Sequence, residues 1–331
     1  MYYVGLDVHK EFCQASVLDE SGKEISNIKV PTRKDELEIF LAGFEDARFV
    51  LESTGVWEFV YEIIESRGFD VLLAHPMKVK AISSAKVKTD KVDSRTLAHL
   101  LRMDMIPASH VPEKKVRDLR ELVRHRKALV EKSTAFKNRV KAELLRRGIR
   151  RPEELKTGWS DKAMLWMRSL DLPIVNSNLD VIEALQVQIK AINDRLLPEF
   201  LRNKNAKLIS TIPGIGYYGA MLIAAEIDDV HRFADAQHLC SYAGLVPRVH
   251  QSSAVAHYGH ISKQGSRHLR WILTEAVHIH VVNEPGSQLT RFFLRVARKK
   301  SRQVATIATA RKMLTAIYWM LMNEEEFRVT G

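Results

Sequence analysis

The front of the chain carries short apolar runs whose period switches between alternation and helical spacing. Tyr2–Val8 reads as a buried strand, Phe12–Leu18 alternates as a second, Ser21-Gly22 supplies a turn, and Glu24–Val30 returns as a third. A helix is expected over 34–44, a strand over 47–51, a helix opened by Thr54-Gly55 and reaching Arg67, and a strand over 69–74. A last helix begins behind Thr89, a natural N-cap, with Val92, Leu97, Leu100 and Leu101 on one face. Three strands in a meander followed by alternating helices and strands predict a mixed-sheet α/β domain over 1–107.

The pattern then turns helical. Pro107 and Pro112 bracket a linker, and from Glu113 to Arg147 the residues Val116, Leu119, Val123, Val130, Phe136, Val140 and Leu144 recur at helical spacing. A second long helix over 178–200 steps through Leu179, Ile182, Leu185, Ile189, Ile192 and Leu196, a coiled-coil pattern. Residues 108–200 thus form a helical middle, read as a spacer or dimer contact. The remainder, 201–331, is mainly α. Pro213-Gly214-Ile215-Gly216 between two apolar segments has the form of a helix-hairpin-helix turn, whose backbone N–H groups can grip phosphate or simply turn the chain. Gln251-Ser252-Ser253-Ala254 reads as a polar loop, the stretch from Ile261 to Arg270 opens a helix, and 304–322 is a final apolar helix.

At 331 residues and 46% hydrophobic content the chain can bury more than one core. No apolar run is long enough for a bilayer, the N-terminus lacks a signal-peptide pattern, and two cysteines make no disulfide framework, so a cytoplasmic setting is expected. Charge changes the picture more. The net charge is +11, yet residues 1–85 are net acidic, 111–151 hold 15 Lys/Arg against 5 Asp/Glu, and 286–316 hold 8 against none. Such segregation predicts a nucleic-acid partner, although solvated helix faces would also carry it. Arg120, Arg124, Arg139 and Arg146 on the first long helix are candidate backbone contacts, with Lys86 and Lys88 ahead of the Thr89 helix. Gly214, Gly216, Arg248, Lys263, Arg267, Arg270, Arg298 and Lys299 complete the set. His278 and His280, two apart, do not have helical zinc spacing and read as structural.

Asp90 and Asp93 project from one side of a first helical turn, and two such carboxylates repel unless a cation lies between them. Hard oxygen donors at that spacing suit Mg²⁺ or Mn²⁺; pairing with the helix dipole is the simpler alternative. Asp7 in the first strand and Glu52 at the end of a later one fall where ligands collect in α/β sheets.

Three stretches, Gly5-Leu6-Asp7-Val8-His9-Lys10, Leu51-Glu52-Ser53-Thr54-Gly55 and Thr89-Asp90-Lys91-Val92-Asp93, resemble the acidic motifs of the DEDD transposases. These belong to the insertion-sequence family numbered one hundred and ten, also called bridge-RNA-guided recombinases. The resemblance implies an RNase H-like (RuvC-like) front domain in which Asp7, Glu52, Asp90 and Asp93 hold Mg²⁺ or Mn²⁺ as a two-metal phosphoryl-transfer site. Ala243-Gly244-Leu245-Val246-Pro247, the Ser252-Ser253 pair and Ile261-Ser262-Lys263-Gln264-Gly265 are similar to the family's C-terminal transposase domain. There a loop serine forms a covalent phosphoserine link to DNA. Ser252 matches its position, and Ser253 stands where many relatives have glycine, so either hydroxyl remains a candidate. A serine hydroxyl needs activation, and neither His250 nor His257 stands at triad spacing, so the front domain's metals are the expected source. The resemblance also implies donor and target DNA, a structured non-coding guide RNA, and a homo-oligomer from dimer to tetramer. Two other readings remain open: a metal-dependent junction-resolving nuclease, and a non-catalytic nucleic-acid-binding protein.

Overall fold

The computed structural model describes residues 1–83, 89–155, 158–252 and 255–328, and at 249–252 and 255–258 the backbone alone. The chain divides into two compact units, Met1–Val111 and Pro112–Gly331.

In the front unit β1 (Tyr2–Val8), β2 (Phe12–Leu18) and β3 (Glu24–Pro31) form the expected meander, followed by α1 (Lys34–Ala42), β4 (Ala47–Glu52), α2 (Trp57–Ser66) and β5 (Asp70–Ala74). After α3 (Pro76–Ile82) comes α4 (Asp90–Arg102), then a two-residue strand β6 (Ala108–Ser109). The sheet order is β3-β2-β1-β4-β5-β6. β1 pairs antiparallel with β2 and parallel with β4, so it is the central strand where the sheet changes direction. A strand paired on both sides and covered on both faces favours apolar side chains, and Val4, Leu6 and Val8 are essentially inaccessible, with Asp7 the charged exception. One layer of the core gathers these with Phe49, Leu51, Val60 and Ile64; a second, across the sheet, joins Val50 and Ala74 to Leu97, Leu100 and Leu101 of α4. α2 begins later than the Thr54-Gly55 signal suggests, and α3 and β6 carry no clear periodicity in the sequence.

The second unit opens with α5 (Lys114–Arg146), α6 (Asp161–Ser169) and α7 (Pro173–Arg202). α8 (Lys204–Ser210), α9 (Tyr217–Ile227) and α10 (Ala236–Tyr242) follow, then a hairpin of β7 (Pro247–Ser252) and β8 (Val255–Ile261). α11 (Arg267–Asn283), α12 (Gln288–Lys299) and α13 (Arg302–Asn323) close the chain. The middle and the back are one body here rather than two. Val123 of α5 and Ile192 and Leu196 of α7 are buried in the same core as α9, α11 and α13, whereas the far ends of α5 and α7 close a smaller core with Met164 and Met167 of α6. The polar stretch expected as a loop instead contributes strand: Gln251 pairs with Ala256 and Ser252 with Val255.

α5 is locked to this core by a charge. Glu226 in α9 is fully buried, and Arg124 grips its carboxylate with two hydrogen bonds of 2.7 and 2.9 Å. Ser266 Oγ donates a third at 2.8 Å, and Arg120 Nε donates to the Ala225 carbonyl at 3.0 Å. These contacts hold the Glu226 carboxyl below its usual range against the opposing pull of burial. Its stabilising contribution is therefore present above the unfolded-state carboxylate pKa and is lost as pH falls through the lowered folded value. Arg124→Ala should destabilise the protein by about 3 kcal/mol in urea denaturation, because an unpaired buried carboxylate remains. A loss under about half a kcal/mol would mean that this pair is incidental.

Candidate active site

Asp7 and Glu52 are brought together by strand register. Leu6 pairs with Leu51 across the parallel β1–β4 ladder, so one residue further on Asp7 and Glu52 leave neighbouring strands side by side from the same face. Asp7 is buried, 8% exposed, and Glu52 is half-buried.

α4 lies on that same face, and one glycine permits it. A Cβ placed on Gly5 would stand 2.1 Å from the Ser94 carbonyl oxygen and 2.5 Å from the Ala98 nitrogen, both helix backbone. No side chain fits between β1 and α4 at this point, so the helix axis is set by the strand. Thr89 caps the helix, its hydroxyl accepting from Val92 N at 3.3 Å, and the Asn27 amide donates to the Lys91 carbonyl at 3.3 Å. Arg95 reaches Glu24 on β3, its Nε at 3.0 Å from the carboxylate. The first turn is thus fixed at both flanks, presenting Asp90 and Asp93 beside β1.

Among the described residues, ligand atoms of Asp7, His9 and Asp90 lie within 4.8 Å of one another. His9 Nε2 stands 3.2 Å from Asp7 Oδ2 and 3.5 Å from Asp90 Oδ2. Glu52 and Asp93 lie outside this tight group, though Asp93 is close enough to act on Asp7 electrostatically. Burial pushes the Asp7 carboxyl up; the charges of Asp90 and Asp93 add to the rise, and His9 opposes it. Gln14, the β2 residue paired with Asp7, is 1% exposed, and its Oε1 has no hydrogen-bond partner among the described residues. Crowded carboxylates together with an orphaned carbonyl oxygen fit a hydrated, oxygen-seeking divalent cation. His9 and Gln14 were not singled out from the sequence. Only spacing points to them: His9 follows Asp7 by two, and Gln14 faces it once the β1–β2 register is known.

The basic candidates divide. Arg120 and Arg124, expected at phosphates, are turned inward onto Ala225 and Glu226. Arg146 bonds Glu143, and Arg139 is exposed with its guanidinium 4.9 Å from the Phe136 ring centroid. Arg270 donates to the Ala243 carbonyl at 2.8 Å and Arg248 to the Ser262 carbonyl at 3.4 Å, both at the open base of the hairpin. Lys263, Arg267, Arg298 and Lys299 are exposed. Lys86, Lys88 and Ser253 lie outside the described residues, and Ser252 is described only as the last backbone position of β7. Gly214 and Gly216 do lie between two helices, α8 and α9. Gly214 adopts φ +99°, and a Cβ there would meet the Ala276 carbonyl oxygen and His280 nitrogen of α11 at 2.8 and 2.9 Å. Its need for glycine is a close approach within the core. His280 is structural as expected, buried and within 2.8 Å of both Pro213 O and Ser287 Oγ.

Two family models match the chain. The DEDD transposase model of the IS110 type spans residues 4–147, and the model described as transposase IS116/IS110/IS902 family spans 206–291. Between them they take in well over half of the sequence. The chain belongs to the IS110/IS116/IS902 family of transposases. A putative transposase, y4qE, of Sinorhizobium fredii is 25% identical over 96% of this chain and 81% of its own. The transposase for insertion sequence element IS1111A of Coxiella burnetii is 24% identical over 98% and 91%. The pilin gene-inverting protein of Moraxella bovis is 29% identical over 84% and 81%. The first family match contains Asp7, Glu52, Asp90 and Asp93; the second contains the hairpin and Ser252. Among the described residues no helix of this transposase is long and apolar enough to cross a membrane.

Two substitutions test the front site. Gly5→Ala should lower thermal stability and abolish any stabilisation by Mg²⁺ or Mn²⁺, since α4 must move off β1; unchanged divalent response would show that α4 does not set the site. Asp7→Asn should act oppositely on the metal-free protein. A carboxyl whose folded pKa is raised opposes folding increasingly as pH rises from its ordinary value of 3.8, so removing the charge should raise the melting temperature at neutral pH by about 2–4 °C per kcal/mol relieved. A lower melting temperature would mean that ionised Asp7 is stabilised by its neighbours.

Proposed function

We propose that this transposase cuts and rejoins DNA strands by metal-dependent phosphoryl transfer, using the front-unit carboxylates and a serine of the β7–β8 hairpin. The observation that carries the reading is the convergence of Asp7, Asp90 and His9 on one small volume, with Glu52 at the end of the strand next to Asp7 and Asp93 in the same helical turn as Asp90. The sheet order, with its antiparallel meander continued by parallel strands, supports reading the front unit as RNase H-like. Asp7, Glu52, Asp90 and Asp93 would hold Mg²⁺ or Mn²⁺. Such ions supply polarisation of the phosphate and neutralisation of the attacking and leaving oxygens. Asp7, buried in β1, and Asp90, held in the first turn of α4 beside it, keep a fixed separation that needs no rearrangement during reaction.

In this reading the Ser252 hydroxyl attacks the scissile phosphorus, forming a Ser–O–P bond as the P–O bond to the leaving strand breaks. The serine proton departs and the leaving oxygen gains one, so the number of phosphoester bonds is unchanged and the linkage is stored for rejoining. Ser253 is the competing hydroxyl. A structured non-coding RNA that pairs with donor and target DNA, and a homo-oligomer of two to four copies, belong to the same proposal and rest on family resemblance. The Pro213–Gly216 turn as a helix-hairpin-helix phosphate grip is part of it too, with Gly216, which has open space around it at the start of α9, as the phosphate-facing residue.

A denaturing gel of the protein incubated with DNA from its own element should show a covalent adduct that disappears in Ser252→Ala. Hydrolysed ends without an adduct from the wild type would make it a nuclease, and loss only in Ser253→Ala would move the nucleophile by one residue. Asp90→Asn should abolish strand cleavage, by a factor of at least about 10², while DNA binding persists. Unchanged cleavage would remove the metal centre from the mechanism.

A further inference from the structure

A cavity of about 990 Å³ opens between the base of the β7–β8 hairpin and helices α12 and α13. Its described lining holds Lys263, Lys300, Arg311 and Lys312 and no acidic residue, over a floor that is largely aliphatic with Phe292 at one side. None of these four cations has a carboxylate within salt-bridge distance among the described residues, in contrast to Arg48, Arg95, Arg124 and Arg168 elsewhere. Lys312 Nζ lies 5.0 Å from the Phe292 ring centroid, so charge and ring face present one surface. Lys263 adopts φ +54°, a left-handed conformation that a side-chain-bearing residue holds only when its surroundings impose it. Those surroundings are hydrogen bonds to the preceding loop: Ser262 N to Val246 O at 2.8 Å, Lys263 N to Gly244 O at 3.3 Å and Ser266 N to Tyr242 O at 2.9 Å.

We propose that this cavity is a binding site for single-stranded DNA, taking an unstacked base against the Phe292 side and its flanking phosphates on Lys263, Lys300, Arg311 and Lys312. Uncompensated cations call for a polyanion, and an apolar floor calls for a flat, weakly polar group; an unpaired nucleotide is both. Duplex DNA presents its bases inside the stack and does not enter a concave pocket. The inference deepens the proposed function and rests on the reading that this unit handles a DNA strand. The cavity adjoins the hairpin's base, where Pro247 pairs with Ile261, and Ser252 is five residues further along β7, about 17 Å at strand rise. A strand held in the cavity would leave it along the hairpin that carries the proposed nucleophile.

The test uses the full chain and a fluorescently labelled single-stranded DNA oligonucleotide in an anisotropy titration, beside the duplex and an RNA of the same sequence. Ala308→Trp fills the cavity without removing charge, and Arg311→Gln with Lys312→Gln removes charge without filling it. Each should weaken single-stranded DNA binding roughly tenfold and duplex binding far less. The double glutamine variant should also flatten the dependence of log Kd on log salt by about 0.7 for each phosphate it no longer neutralises. Unchanged single-strand affinity in variants with wild-type circular dichroism would overturn the proposal, as would equal losses for single strand and duplex. Tighter RNA binding that the same substitutions abolish would overturn it in favour of an RNA site. The readout needs no cleavage, so a protein that binds here but forms no serine adduct leaves this inference standing and removes the Ser252 reading alone.

Discussion

Several carboxylates held close together in a half-buried place are the constraint on which the front unit depends. Asp7 is buried at the centre of the sheet, and Asp90 and Asp93 are brought to it by a helix that cannot lie elsewhere. Burial, with repulsion from Asp90 and Asp93 added to it, is a standing cost in the free protein, visible as the upward push on the Asp7 carboxyl. It persists because the surrounding packing over-determines it: β1 is paired on both sides, α4 is in backbone contact with Gly5, and Asn27 and Glu24 of β3 tie down its first turn. A site with that cost is understandable if its resting partner is a cation.

The second unit solves a different problem, holding a long basic helix firmly on a largely apolar core. Its solution is the buried Glu226, which takes two bonds from Arg124 of α5 and one from Ser266 at the start of α11. Because Ser266 also caps α11 by accepting from Leu269 N at 3.0 Å, the same carboxylate links α5 to the loop that carries Lys263. The position of the hairpin base and its cavity is thereby tied to the helical spine rather than left to a loop.

Much of this was legible in the sequence. The strands of the meander, β4 and β5, the Thr89 cap and the two long helices follow from period and capping chemistry alone, which are local. The acidic residues were legible because Asp7 and Glu52 sit at or near strand ends and Asp90 and Asp93 share a turn. Features that depend on partners distant in sequence were not. Basic residues at helical spacing look alike, and only the fold shows that Arg120 and Arg124 point to Glu226 about a hundred residues away while Arg139 faces water. His9 and Gln14 are ordinary residues until strand register sets them beside Asp7. The pairing of β7 with β8 was obscured by the sequence Gln251-Ser252-Ser253-Ala254, whose small and polar residues read as a loop. Pro107 and Pro112 mark the stretch where the two compact units meet in sequence, but nothing local revealed that α5 and α7 bury Val123, Ile192 and Leu196 in the same core as the C-terminal helices.

The central claim, that the front-unit carboxylates hold a divalent cation used on DNA, is met most directly by electron paramagnetic resonance of Mn²⁺ titrated into the full chain, with and without a DNA oligonucleotide. The account predicts that the free-ion signal is depleted in proportion to protein, most strongly with DNA present, and that Asp90→Asn restores it. A signal undiminished by the wild-type protein in both conditions, or diminished equally by Asp90→Asn, would contradict it.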